Sequence, residues 1–289
     1  MKASEINIRD PFVLTVPEKG LYYMYGTRGP GVWDTCSGFD VYKSCDLENW
    51  SEPVSVFEKY DDFWATHQFW APEVHYYHGR YYMFASFKSP TARRGTQILV
   101  SDTPDGIFVP LTKEPITPRG WECLDGTLYV SPDGRPYIVF SHEWVQCTDG
   151  CIYSMALTDD LTAPVGEPKL LFRASEPPFA ISGAQRYVTD GPFLYRGETG
   201  RLYMLWSTMA ATGYVQAVAV SESGDIEGPW HHDHPLLFER DGGHGMIFRD
   251  LSGNLKLALH RPNKNPYERP VFFNIKEDNG LLSVVDNTN

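Results

Sequence analysis

An all-β chain closed into a five-bladed propeller is the fold that this 289-residue sequence predicts. Three observations lead there. One apolar strand phrase returns five times: "YYMYGT" at 22–27, "YYMFAS" at 81–86, "PYIVFS" at 136–141, "LYMLWS" at 202–207 and "LKLALH" at 255–260. Each copy has an upstream partner strand across a Gly-bearing turn, the mark of a β-hairpin. Helical periodicity is absent throughout. The unit is roughly fifty to sixty residues long, a repeat in which a lone sheet cannot cover both faces and neighbours stack around an axis.

In blade one, "PFVLTVPEKGLYYMYGT" pairs 12–16 with 21–26 across "PEKG", and "FDVYKS" follows as a third strand. Blade two turns at "HG" in "PEVHYYHGRYYMFAS" and continues into "TQILVS". Blade three turns at "PDG" and continues into "IYSMALT". Blade four turns at "ETG" before "VQAVAVS", and blade five at "LSGN" before "PVFFNIK". Phrases such as "CDLENW", "DTPDG", "DDLTAP" and "SGDIEGPW" lead toward a fourth, outer strand. A β-sandwich is the competing fold, but its strands do not recur in such an ordered set. One domain over 1–289 is expected.

Composition narrows the function classes. Net charge is −12, which disfavours a nucleic-acid partner, because phosphate binding needs a basic surface. Aromatics reach 14%, suited to sheet packing and to platforms under sugars. The five cysteines (Cys36, Cys45, Cys123, Cys147, Cys151) are odd in number and irregularly spaced, so reduced thiols are expected rather than a disulfide framework. No apolar run has signal-peptide or membrane-span length, so the sequence as given reads as cytoplasmic, without a membrane partner.

In a propeller the first strand of every blade lines the central channel, and the second returns to the same mouth. Before the first strands stand Asp10, Glu73, Asp125, Asp190 and His244; after the second come Arg28, Lys88, His142, Glu143, His260 and Arg261. A single Asp here could simply make an Asx turn. Together, acids and histidines at one rim shift each other's pKa values, as acid–base chemistry requires.

The ordered set "RDPFV", "WAPEVHYYHGRYYMFAS", "LDGTLYVSPDG", "TDGPFLYR" and "GGHGMIF" resembles the glycoside hydrolases of family 43 over essentially the whole chain. That resemblance implies a five-bladed propeller hydrolysing with inversion, usually α-L-arabinofuranosides or β-D-xylosides, with an oligosaccharide substrate and no redox cofactor. It implies that Asp10 is the general base, activating water, and that Asp125 orients and tunes the acid. The family's acid is usually Glu before a small residue and Pro at the start of blade four, where this chain has Asp190. Asp is one methylene shorter. Glu143 has the missing length and points to the same mouth, so both remain candidates, the other then binding a sugar hydroxyl. His244 matches a histidine that in relatives lies beside a channel calcium or sodium ion, though a lone His can also satisfy a core hydrogen bond.

Phe12, Trp70, Trp144 and Phe193 are candidate platform residues; Glu73, His142, Arg186 and His260 are candidate hydroxyl ligands. The "HHDH" run at 231–234 is expected to be a solvated loop. The expected reaction is exo release of a terminal pentofuranose, most readily L-arabinose. β-Xylosidase and galactofuranosidase share the fold. A mannoside phosphorylase would need phosphate-binding cations, which "TARRGT" at 91–96 and "HRPNKN" at 260–265 could supply; a non-catalytic sugar-binding propeller is the third class.

Overall fold

The computed structural model describes residues 1–29 and 31–285. It contains five four-stranded antiparallel sheets, each formed from four consecutive strands. Blade one comprises β1 (Ile8–Val16), β2 (Leu21–Arg28), β3 (Gly38–Ser44) and β4 (Val54–Glu58). Blade two comprises β5 (His67–Tyr77), β6 (Arg80–Ser89), β7 (Ala92–Ser101) and the two-residue β8 (Val109–Pro110). Blade three holds β9 (Cys123–Val130), β10 (Pro136–His142), β11 (Cys151–Leu157) and β12 (Pro164–Arg173), with a one-turn helix α1 (Trp144–Cys147) after β10. Blade four runs through β13 (Asp190–Arg196), β14 (Leu202–Ala210), β15 (Gly213–Ser221) and β16 (Trp230–His231). Blade five ends the ring with β17 (Gly243–Arg249), β18 (Leu255–Arg261), β19 (Arg269–Asp278) and β20 (Leu281–Val285). The fold is an all-β five-bladed propeller.

The repeated phrase is the second strand of every blade. Its six residues lack polar alternation because neighbouring blades cover both faces: Tyr22 to Thr27 are all buried, as are the copies' cores. Between blades one and two, Phe39, Phe57, Phe63, Phe69 and Phe87 pack together, Phe87 meeting the others edge to face, with Phe69 and Phe87 at 4.9 Å and 86°. The "HHDH" run departs from the expected solvated loop. His232 packs edge-on against Phe172 at 4.6 Å, and His234 Nε2 accepts the Leu282 N–H at 2.9 Å, fastening the linker to β20.

Each first strand carries a β-bulge in the same place, where the register skips between Arg9 and Phe12, Trp70 and Glu73, Asp190 and Phe193, Gly243 and Met246, and opposite Val139–Ser141 in β9. At each bulge one residue turns left-handed: Asp10 (φ 53°), Ala71 (46°), Asp125 (56°), Gly191 (52°) and His244 (52°). Strain at four non-glycine positions in one ring marks a functional surface.

Candidate active site

The last residue of each repeated phrase explains why the phrase ends in a small polar group. Thr27 Oγ1 accepts the Ala71 N–H at 2.7 Å, Ser86 Oγ accepts that of Asp125 at 2.8 Å, and Ser207 Oγ accepts that of His244 at 2.7 Å. His260 Nδ1 accepts the Asp10 N–H at 3.2 Å and closes the ring. Each blade thereby holds the next blade's bulge residue. One junction breaks the rule: Gly191 donates its N–H to Asp125 Oδ2 at 3.0 Å, and Ser141 Oγ finds no hydrogen-bond partner among the described atoms. Gly191 must be glycine, because a Cβ there would lie 2.6 Å from the His244 imidazole.

The bulges bring Asp10, Asp125 and His244 together. His244 Nδ1 lies 3.2 Å from Asp10 Oδ1 and 3.8 Å from Asp125 Oδ2. Burial alone would discharge this imidazole, but the carboxylates of Asp10, Asp125, Asp190 and Glu73 raise its pKa. Burial would likewise raise Asp10; the His244 and Arg9 charges and a 2.6 Å hydrogen bond from Thr27 outweigh it and bring Asp10 down to about 2. His260, pushed down to about 3 by burial and then by Arg9, is neutral and serves Asp10 as an acceptor for its backbone N–H rather than as a charge.

Asp125 and Asp190 move the opposite way. Burial, against the His244 charge and with Asp190 and Asp10 repelling, pushes Asp125 up to about 8. Burial also leads for Asp190, pushed up to about 6 against His244 and a hydrogen bond that Tyr214 Oη donates to its Oδ2 at 3.1 Å. At neutral pH this pair holds one proton beside an ionised Asp10. Protonated and ionised carboxyls thus face each other across one basin.

The residues one place before the bulges, among them Arg9, Trp70, Leu124 and Asp190, form the wall of a cavity of about 140 Å³. Loops add Trp33 and Glu143, the start of α1 adds Trp144, and β15 adds Tyr214. Trp33 is half exposed and meets Trp70 edge-on at 5.4 Å. The Arg186 guanidinium sits over the Trp144 ring at 5.2 Å, at the cavity's edge. Glu143 is buried and ion-paired with Arg94, Nε to Oε2 at 3.0 Å.

The sequence-derived candidates therefore divide. Asp10, Asp125, Asp190, Glu143, His244, Trp70 and Trp144 line the cavity. Phe12, Phe193 and Glu73 do not. They stand two places beyond the bulge residues, with Phe12 and Phe193 meeting at 6.2 Å and Glu73 bonded to His75 at 3.1 Å. The bulge, silent in sequence, moves them past the rim. Blade two's true counterpart of Asp10 is Ala71. His142 is turned away, stacked on Trp121 at 4.4 Å, and His260 is fully buried behind Asp10, so neither reaches a ligand in the cavity. Arg9, Trp33 and Tyr214 were not among the candidates, and Arg94 was considered only within "TARRGT" as a phosphate-binding cation; Arg9, adjacent to Asp10 in "RDPF", carried a signal.

Among the described residues, no three His, Cys, Asp or Glu side chains are grouped to hold a metal ion. The His244 Nδ1 faces the Asp10 carboxylate at 3.2 Å, and no step is assigned to an ion. The phosphate-binding role considered for "TARRGT" does not fit, since Arg93 and Arg94 are ion-paired with Glu122 and Glu143.

Residues 4–276 match the family model described as glycosyl hydrolases family 43. The chain belongs to that family. Solved structures of similar proteins share its fold. An endo-arabinase from Bacteroides thetaiotaomicron is 42% identical, with a TM-score of 0.89 over 97% of this chain and 98% of that one. A thermostable family-43 glycoside hydrolase is 26% identical, with a TM-score of 0.83 over 96% and 92%. Among curated proteins, an extracellular endo-alpha-(1->5)-L-arabinanase of Bacillus subtilis is 26% identical over 49% of this chain and 45% of its own length. A putative beta-xylosidase of Escherichia coli is 26% identical over 79% and 44%. This family 43 chain spans less than half the length of the curated relatives it matches. The family is described as one of glycosyl hydrolases.

Proposed function

We propose that this family 43 glycosidase hydrolyses α-L-arabinofuranosidic linkages with inversion, releasing terminal arabinose from oligosaccharides. The observation that carries the reading is the division of charge in the basin: Asp10 ionised, one proton held on the Asp125–Asp190 pair, and His244 between them. Asp10 takes a proton from a water on the anomeric face opposite the leaving group. Asp190, when it carries the shared proton, gives it to the glycosidic oxygen. Asp125 sets when that proton is available, through like charge. The Arg94 ion pair favours a hydroxyl-binding role for Glu143 over the acid role.

The arabinose preference is supported by the arabinan-directed names of two similar proteins. Terminal release is supported by a cavity below the roughly 300–1,000 Å³ of pockets that enclose drug-sized ligands, closer to one sugar ring than to a chain. Endo cleavage is the second reading, favoured by the Bacteroides protein's name. Linear arabino-oligosaccharides in phosphate-free buffer test both. Arabinose as the first product, initially as the β-anomer, is expected; oligosaccharides as first products make the enzyme endo-acting. No release from arabinofuranosides, xylosides or galactofuranosides refutes the proposal.

A further inference from the structure

We propose that Arg94 is a positioning residue that builds the sugar-reading wall of the cavity, a role resting on the reading of that cavity as a glycoside site. Arg94 lies on β7, away from the bulge ring, yet it is only 4% exposed. Its Nε donates to Glu143 Oε2 at 3.0 Å, and its Nη1 donates to Gln68 Oε1 at 2.9 Å. Its guanidinium lies 4.0 Å from the centre of the Trp70 ring. The Arg94 backbone N–H donates to Glu122 Oε2 at 2.8 Å, which anchors the strand. Trp70 in turn donates its indole N–H to the Val32 carbonyl at 2.7 Å, reaching the loop that carries Trp33.

One planar cation thus touches two cavity-lining side chains contributed by different blades. With one Glu143 oxygen occupied by Arg94, the other is free to accept from sugar hydroxyls. Trp70, held from behind, offers an apolar face to the ring's carbon side. Lysine cannot replace this arrangement, because a point charge lacks both the fork and the flat face. Arg93, its neighbour, is largely exposed and, among the described residues, ion-paired with Glu122 alone, and so supplies a control.

The test is sugar binding by calorimetry alongside steady-state kinetics, for Arg94→Met, Arg94→Lys, Glu143→Gln, the Arg94→Met/Glu143→Gln double variant and Arg93→Met. Binding is measured with arabino-, xylo- and galacto-oligosaccharides, so the result does not depend on which sugar is hydrolysed. Arg94→Met and Arg94→Lys are expected to weaken whichever sugar the wild type binds by about tenfold or more, raising KM far more than they lower kcat. The double variant should be more stable than Arg94→Met, which strands a buried carboxylate without its counter-charge. Arg93→Met should match wild type. Unchanged sugar affinity in folded Arg94→Met overturns the proposal. So does full recovery of Arg94→Met and Glu143→Gln on a dinitrophenyl glycoside, which would make Glu143 the proton donor. Failure to hydrolyse arabinosides, with binding weakened as expected for another sugar, refutes the substrate assignment and leaves the clamp supported.

Discussion

Removing the hydroxyls that end the repeated strands should expose a sharp asymmetry. Ser86→Ala leaves the buried Asp125 N–H without its 2.8 Å acceptor, and Ser207→Ala does the same to His244 at 2.7 Å. An orphaned buried donor costs about 1–3 kcal/mol. With 289 residues and about 2.1 cal/mol/K of unfolding entropy per residue, the molecule loses roughly 3 °C of Tm for about 2 kcal/mol. Thr27→Val should cost more, since Thr27 also donates to ionised Asp10 at 2.6 Å, and bonds to charged groups are worth about 1.5–3 kcal/mol. Ser141→Ala, at an equally buried site, removes a hydroxyl with no partner and should leave Tm unchanged or raised. Thermal unfolding of the four variants, followed by circular dichroism, checks the order. If Ser141→Ala falls as far as Ser86→Ala, the hydrogen-bond account of the blade junctions is wrong.

Further outcomes follow from the charges. The alkaline limb of kcat/KM should fall between about pH 6 and about pH 8, as the proton leaves the Asp125–Asp190 pair, and Asp125→Asn should move it to lower pH by removing a like charge. Because the Asp125 pKa is raised on folding, its stabilisation is present below the ordinary carboxylate value and lost as pH rises through about 8. Asp125→Asn should therefore gain Tm relative to wild type progressively between pH 4 and pH 8; a constant difference would contradict the shift. Trp33→Ala should weaken oligosaccharides up to about tenfold while sparing aryl monosaccharides, because Trp33 is half exposed at the cavity mouth. Equal effects on both substrates would remove Trp33 from the outer wall.

Much of the architecture could be read from residues alone because hairpin chemistry is local. "PDG", "ETG" and "LSGN" set their turns whatever surrounds them, and the repeat did the rest. Asp10, Asp125 and His244 were legible for the same reason: they occupy one repeated position. Glu73, Phe12 and Phe193 were misplaced because a bulge adds a residue to one strand without changing composition, so a count from the strand start overshoots. The wall was mostly illegible. Trp33 comes from a loop and Arg94 from a third strand, and nothing periodic reports where those side chains converge. The proposed choice of acid also rests on coordinates: Glu143 and Asp190 differ in their partners, Arg94 and Tyr214, both remote in the chain.

The contact between His260 and the Asp10 backbone joins the last blade to the first. In the order of synthesis the proposed base, Asp10, therefore precedes by 250 residues the side chain that accepts its backbone N–H. Hydrolytic power should arrive abruptly, with the fifth sheet, rather than grow as each sheet is added. A circular permutant cut in an outer turn should keep it, whereas removal of blade five should abolish it even where the first four sheets persist.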